Sequence, residues 1–138
     1  MTLPLKVLSK KTALVLDHLT EGLAVGDSRK VDGGTGYMPV HVECLQRTGL
    51  GLLYSIAHYY EQNGDLVAAP DVVFVRAAEG WSPISFQNSI AYRVAVDFHA
   101  DGTIEVDARQ HRDLAEFCND TFMPNIEEQQ ALPTRRSR

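Results

Sequence analysis

The residues best suited to chemistry stand close together between His58 and Asp65. A histidine that titrates near neutral pH, beside tyrosine side chains, can act as a general base. Side-chain alternation along a β-strand places His58 and Tyr60 on one face, and Tyr59 with Glu61 on the other. No nucleophile or carboxylate is fixed to His58 by its spacing. The pattern therefore favours a half-buried strand whose aromatic side chains expose their polar ends, and no catalytic residue is assigned.

A second polar group lies in the glycine-rich segment 26–36, which carries both charges and is typical of a loop. Its Asp and Ser side chains can bond nearby backbone N–H groups, which is a structural role. The alternative is a binding rim that meets the strand around His58. The candidate binding residues of that alternative are Asp27, Arg29, Lys30, His58, Tyr60, Gln62 and Asp65. This alternative requires those groups to converge in one pocket.

Motifs for metals, phosphates and nucleophilic catalysis are missing from the sequence. The five histidines are scattered and form no His-x-x-x-His pair. The run Gly33–Gly36 matches neither a Walker loop nor a dinucleotide fingerprint, and Gly-x-Ser-x-Gly is absent. Cys44 and Cys118 lie in apolar patterns and are predicted to be reduced and buried. The sequence thus predicts no metal and no cofactor, and it favours a protein that is not an enzyme while leaving enzymatic activity open.

Composition and charge narrow the class of protein. The chain has 138 residues, 44% of them hydrophobic, and its 13 basic and 18 acidic side chains give a net charge of −5. These values are typical of one globular domain, not of a disordered chain or of a protein that binds nucleic acid through a basic face. No apolar run reaches the roughly 18 residues of a membrane span, and lysines precede any signal-peptide core. The sequence predicts a cytoplasmic protein without a membrane partner.

Hydrophobic periodicity predicts the elements that position these groups. Helical spacing of apolar residues predicts a helix over 9–21. Two-residue alternation, with turn signals such as Asn63-Gly64, predicts strands joined by short turns. The predicted strands are Met38–Cys44, Leu52–Tyr60, Asp71–Arg76, Trp81–Gln87, Ile90–Phe98 and Thr103–Val106. Asp107 is predicted to cap a second amphipathic helix, which ends near Pro124.

These elements predict an α+β fold. Short connections force neighbouring strands to be antiparallel, and an apolar sheet face needs helices to cover it. The expected architecture is a meander-like antiparallel sheet of five to six strands, with an N-terminal and a C-terminal helix packed on one face. Residues 1–124 are predicted to form a single domain, and the polar residues 125–138 a flexible or partly helical tail.

Three stretches resemble a known family. They are Gly26-Asp27-Ser28-Arg29-Lys30-Val31-Asp32 with the following Met38-Pro39-Val40-His41-Val42-Glu43, then Ile56-Ala57-His58-Tyr59-Tyr60-Glu61-Gln62-Asn63-Gly64-Asp65, and Ile84-Ser85-Phe86-Gln87. They resemble a family of small uncharacterised bacterial domains, of the domain-of-unknown-function kind, found on plasmids, conjugative elements and phages. The His-Tyr-Tyr-x-Gln-Asn-Gly-Asp string is the most specific part. The resemblance implies a mobile-element setting and a small α+β domain, and it assigns no catalytic residue.

Three functions remain open at this point. The first is an accessory protein of a mobile element that acts as a protein-interaction module, with another protein as its partner and no role in nucleic-acid binding. The second is a small enzyme or ligand-binding domain with a site around His58, Tyr60 and Asp65. The third is an acidic mimic of nucleic acid, for which a charge of −5 is modest.

Overall fold

The computed structural model of the chain describes residues 5–33 and 37–130. Within these ranges helix α1, Lys10–Thr20, is followed by eight strands and two further helices. The strands are β1 (Ser28–Val31), β2 (Val40–Arg47), β3 (Leu52–Gln62), β4 (Asp65–Ala77), β5 (Gly80–Gln87), β6 (Tyr92–Val94), β7 (Val96–Phe98) and β8 (Ile104–Val106). Helices α2 (Ala108–Phe117) and α3 (Met123–Gln129) are joined by a π-helical turn over Cys118–Phe122. The predicted α+β class is confirmed.

The first six strands form one sheet in the order β1-β2-β3-β4-β5-β6, and every neighbouring pair is antiparallel. The turn between β3 and β4 shows why local sequence specifies this topology. Asn63 and Gly64 have φ angles of 54° and 87°. Two consecutive positive φ angles match the twist of a tight hairpin, and Asn-Gly adopts them at low cost. The predicted antiparallel meander is confirmed.

Helices from both ends of the chain pack on one face of the sheet. Leu16 and Leu19 of α1, together with Met123 and Ile126 near the C-terminal end, belong to one buried cluster with the sheet. The sheet residues of this cluster are Val40, Val42, Cys44, Tyr54, Ile56, Val72, Phe74 and Trp81. Alternate residues on each strand point to the opposite face, so the helices leave that face open.

A short hairpin covers part of the opposite face, where the sequence predicts a single strand over Ile90–Phe98. The structure breaks this segment at Ala95, whose N–H bonds the carbonyl of Ile84 and whose carbonyl accepts the N–H of Asp107. Among the described strands β7 then pairs with β8 alone, and Val96 forms a second apolar cluster with Leu53, Val75 and Ile84. Large apolar residues recur at every second position from β6 to β7, although the two strands belong to different sheets. The sequence pattern therefore could not reveal the break at Ala95.

Two strands also begin differently from the prediction. Segment 28–31, predicted as loop, forms β1, because its backbone pairs with β2 in a register that places Lys30 opposite His41. Strand β4 begins at Asp65 and includes Pro70, whereas the sequence predicts that this strand begins at Asp71. The ladder between β3 and β4 shifts register beside Pro70, and that irregularity accommodates a residue without an N–H.

The C-terminal helix continues beyond Pro124, where the sequence predicts its end. Pro124 lies in the first turn of α3, directly after the π-helical turn whose last N–H bond runs from Met123 to the Cys118 carbonyl. Ile126 is completely buried, and Gln130 donates through Nε2 to the carbonyl of Met38 at 2.8 Å. Residues 125–130 are therefore packed against the domain. The rest of the predicted tail, like Gly34–Gly36 of the glycine-rich loop, lies outside the described residues, and the division into domain and tail stays a prediction.

Candidate functional site

His58, the centre of the predicted site, points under the helices. Its side chain is 6% exposed, and its ring makes an edge contact with Phe122 at 6.1 Å between centroids. Burial, and then the neighbouring His41, lowers its pKa. Its Nε2 atom has no hydrogen-bond partner among the described residues. His58 is thus a buried, neutral side chain and is not available to a substrate on the open face.

The other candidate residues of this strand region, Tyr60, Gln62 and Asp65, lie further along the β3–β4 hairpin, toward its turn. Gln62 and Asp65 are exposed and pair with each other at the last step before the turn. Tyr60 is 37% exposed and lines an apolar cavity described below. The structure therefore does not bring these side chains and His58 into one pocket.

Two of the three charged residues predicted from segment 26–32 have structural roles. Asp27 accepts the N–H of Ala24 through Oδ2 at 2.9 Å. Arg29 donates to the carbonyls of Leu19 and Glu21 at 2.9 and 2.6 Å, where they leave the C-terminal end of α1. A cation at that end satisfies carbonyls that have no helical partner and complements the helix dipole.

Lys30, the third charged residue, faces the open side of the sheet. Its ammonium is 4.0 Å from the Asp32 carboxylate, and both side chains are mostly exposed. It lines a cavity of about 280 Å³, here called the open-face pocket, on the side of the sheet away from His58. The other polar residues in the lining are Ser28, Arg29, His41, Glu43, Ser55 and Tyr59. Lys30 and Tyr59 therefore line the same pocket, whereas His58, the residue before Tyr59, is buried on the other face of the sheet.

Asp71 accepts hydrogen bonds from two side chains at one end of the open-face pocket. Ser55 donates through Oγ to its Oδ1 at 2.6 Å, and Tyr59 donates through its hydroxyl to Oδ2 at 3.4 Å. The Tyr59 ring also makes an edge contact with His41 at 5.4 Å. Burial, followed by the Asp71 and Glu43 carboxylates, raises the pKa of the Tyr59 phenol.

Sequence reasoning missed His41, Glu43, Ser55 and Asp71. Alternation puts Ser55 and Tyr59 on one face of β3, but only the register reveals their partners. In the structure Glu43 lies opposite Ser55, and Lys30 lies opposite His41. Register depends on contacts between distant segments, so the only local signal was the alternation itself.

An apolar groove runs along the other side of the sheet, where β5 and β6 meet α2. It consists of two cavities, of about 400 and 380 Å³, that share Phe86 and Phe117 in their walls. The two rings meet edge to face, with centroids 5.7 Å apart. The first cavity also contains Ala95 and Leu114, with Arg93, Gln110 and Asp113. The second contains Tyr60, Ala68, Ala69 and Pro70, with Asn88 and Ser89.

The β5–β6 turn extends this apolar surface into solvent. Asn88 holds the turn through its Oδ1, which accepts the N–H groups of Ile90 and Ala91 at 2.9 and 2.8 Å. The side chains of Ile90 and Tyr92 are 91% and 66% exposed. Ile90 follows Ser89 of the second cavity, so a fixed turn presents a large apolar side chain beside the groove, as interfaces often do, whereas Tyr92 lies opposite Gln87 on the other face of the sheet.

Some site types are missing from residues 5–33 and 37–130. No group of three or more His, Cys, Asp or Glu side chains there could hold a metal ion. No helix in these ranges has the length and apolar character to span a membrane.

The fold and its two surfaces define a small α+β domain of the antiparallel-meander class, with helices on one face and a polar pocket on the other. Within that class, the chain belongs to the family described as Domain of unknown function (DUF6908), whose model matches residues 11–132. The expected membership in a family of unknown function is confirmed. Neither the curated proteins nor the solved structures gave a match to the chain.

Proposed function

We propose that this chain is a protein-interaction module that binds a segment of another protein in the apolar groove. The observation that carries the proposal is the pair of apolar cavities that share Phe86 and Phe117 in their walls, next to the exposed Ile90 of the β5–β6 turn. The backbone of a turn that is already fixed by hydrogen bonds loses little conformational entropy when a partner covers it.

The shape of the groove favours one kind of segment. Because the Phe86–Phe117 ring pair divides the groove, each cavity has room for one large apolar side chain, so the segment would carry two such anchors. Arg93 and Asp113 place opposite charges in the wall of the first cavity. Polar residues around buried anchors are typical of interfaces, in which a few anchors supply most of the binding energy.

The setting of the module is part of the proposal. We infer that it is a cytoplasmic accessory protein of a bacterial plasmid, conjugative element or phage. The resemblance of segments 26–43 and 56–65 to proteins of such elements supports this. Genes for conjugation, plasmid maintenance or phage assembly beside the coding sequence are the expected finding, and a conserved chromosomal neighbourhood would contradict it.

The test is a selection of peptides from a random displayed library on the purified protein. Enriched peptides should share two apolar side chains at a fixed spacing. Ile90→Asp should weaken their binding by about tenfold or more, as loss of an interface anchor does. Val25→Asp is the matched control, because Val25 is 53% exposed but lies before β1, outside the groove.

Two outcomes would contradict the proposal. The first is that no peptide family is enriched, or that Ile90→Asp and Val25→Asp bind the selected peptides equally well. The second is reversible dimerisation that Ile90→Asp abolishes in sedimentation experiments. That result would make a second copy of this chain the occupant of the surface.

A further inference from the structure

The hydroxyls of the open-face pocket near Asp71 present hydrogen-bond acceptors, and the His41 ring lies beside Tyr59 at this end. The Ser55 hydroxyl donates its one proton to Asp71 Oδ1 at 2.6 Å, and the Tyr59 hydroxyl directs its proton to Oδ2 at a longer 3.4 Å. In this arrangement both hydroxyls present lone pairs to a ligand. Glu43, which lies opposite Ser55 in the sheet, adds a carboxylate to this end. A group that binds here has to donate hydrogen bonds, and the negative charge favours a cation.

The other end of the pocket carries a positive charge. Lys30 lies opposite His41, and His41 is two residues before Glu43 on β2. The Lys30 side chain is 60% exposed. Two residues along a strand span about 7 Å, so the cationic and anionic ends lie within reach of one small molecule. Arg29 also lines the pocket and keeps its positive charge, but its guanidinium is directed to the carbonyls at the end of α1.

We propose that the open-face pocket binds a small zwitterion of the free amino acid class. The ammonium group donates to Ser55, Tyr59 and Glu43, and the carboxylate pairs with Lys30. A cavity of about 280 Å³ is at the small end of ligand sites, as a single amino acid requires. This site lies on the opposite face from the apolar groove and does not depend on the proposed protein-binding function.

The test is a two-dimensional ¹H–¹⁵N NMR titration of the full chain with each of the twenty common L-amino acids. At least one should give saturable shift changes centred on β1, β2 and β3. Ethylammonium and propionate serve as half-ligands that carry only one of the two charges. Each should bind about tenfold more weakly than the zwitterion, because it lacks one charged hydrogen-bonding group.

Substitutions at the two ends separate the contributions. Glu43→Gln and Lys30→Met should each weaken the zwitterion about tenfold. Glu43→Gln should affect ethylammonium but not propionate, and Lys30→Met the reverse. Glu105→Gln, on the separate β7–β8 hairpin, is the matched control and should bind as the unaltered protein does.

Any of three results overturns the proposal. One is that no amino acid gives saturable shifts in the pocket. Another is that ethylammonium binds as tightly as the best zwitterion, which would make this a simple cation site. The third is that Lys30→Met leaves the affinity unchanged.

Discussion

Mild acid should destabilise this fold through two buried histidines, and His111 shows the reason most directly. Its Nε2 accepts the backbone N–H of Lys6 at 2.8 Å and lies 3.2 Å from Ser82 Oγ. A backbone N–H can only donate, so Nε2 has to keep its lone pair and the ring has to be neutral. Burial lowers the pKa of His111, the Lys6 charge lowers it further, and the Pro83 backbone partly opposes both.

The sign and size of the effect follow from proton linkage. The folded-state pKa values of His111 and His58 both lie below the ordinary 6.5, mainly because of burial. Below pH 6.5 the unfolded chain therefore binds more protons at these sites than the folded protein does. Their stabilising contribution is complete above about pH 6.5 and is lost as the pH falls toward the folded pKa values. Each histidine contributes a slope of at most about 1.4 kcal/mol per pH unit in this window.

Urea denaturation at a series of pH values from about 7.5 to 5 measures that slope. His111→Gln should reduce it by about half, because the glutamine Oε1 can accept the Lys6 N–H but does not titrate. Arg109→Gln, an exposed change on the same helix, is the control and should retain the slope. If the free energy of unfolding rises on acidification, or if His111→Gln retains the full slope, the reasoning about the neutral ring is wrong.

Three further predictions concern packing and local conformation. Ile126→Ala should cost about 2–5 kcal/mol of unfolding free energy by urea denaturation, while exposed Glu128→Ala should stay within about 0.5 kcal/mol. Asp107→Ala should lower the thermal midpoint and Asp107→Asn should lower it less, because asparagine also caps helices. Gly51→Ala should destabilise the fold more than Gly102→Ala in the same assay. Both glycines have positive φ, but only at Gly51 would a Cβ collide with a carbonyl of β4.

Much of the fold could be predicted because its determinants are local. Asp107 accepts the N–H of Gln110, and Gln110 donates back through its side chain, as the spacing of the two residues indicates. Gly22, which follows the C-cap residue Glu21 of α1, has a φ of 79°, as glycines at helix ends commonly do. Such signals need only a few neighbouring residues, and each remained valid in the folded domain.

The elements that were predicted wrongly depend on distant contacts. Segment 28–31 has no apolar alternation and becomes a strand only because β2 offers it a free edge. The helix continues past Pro124 because Met123 and Ile126 fill the core beneath it. In both cases contacts with distant parts of the chain outweighed a correct local rule. A short stretch of sequence does not show those contacts.

The candidate site was only half predictable for the same reason. The segment around His58 is a strand, as predicted, and its predicted alternation is correct. The His58 side chain, however, lies on the buried face of the sheet, and the Tyr59 side chain lies on the open face. The carboxylate that orients Tyr59 comes from Asp71, on the next strand and past an irregular register. Identifying that partner requires knowledge of which strands pair and in what register.

The two proposed surfaces can be tested independently because the sheet holds them apart. Glu43 is on β2 and Ile90 precedes β6, so four strand spacings, or about 19 Å, separate them across the sheet. Substitutions more than about 10 Å apart without shared partners usually act additively. Ile90→Asp should therefore leave amino acid binding unchanged, and Glu43→Gln should leave peptide binding unchanged. If either variant impairs both activities, the sheet itself transmits the effect, and a pocket that is rigid and separate from the groove is the wrong description of this domain.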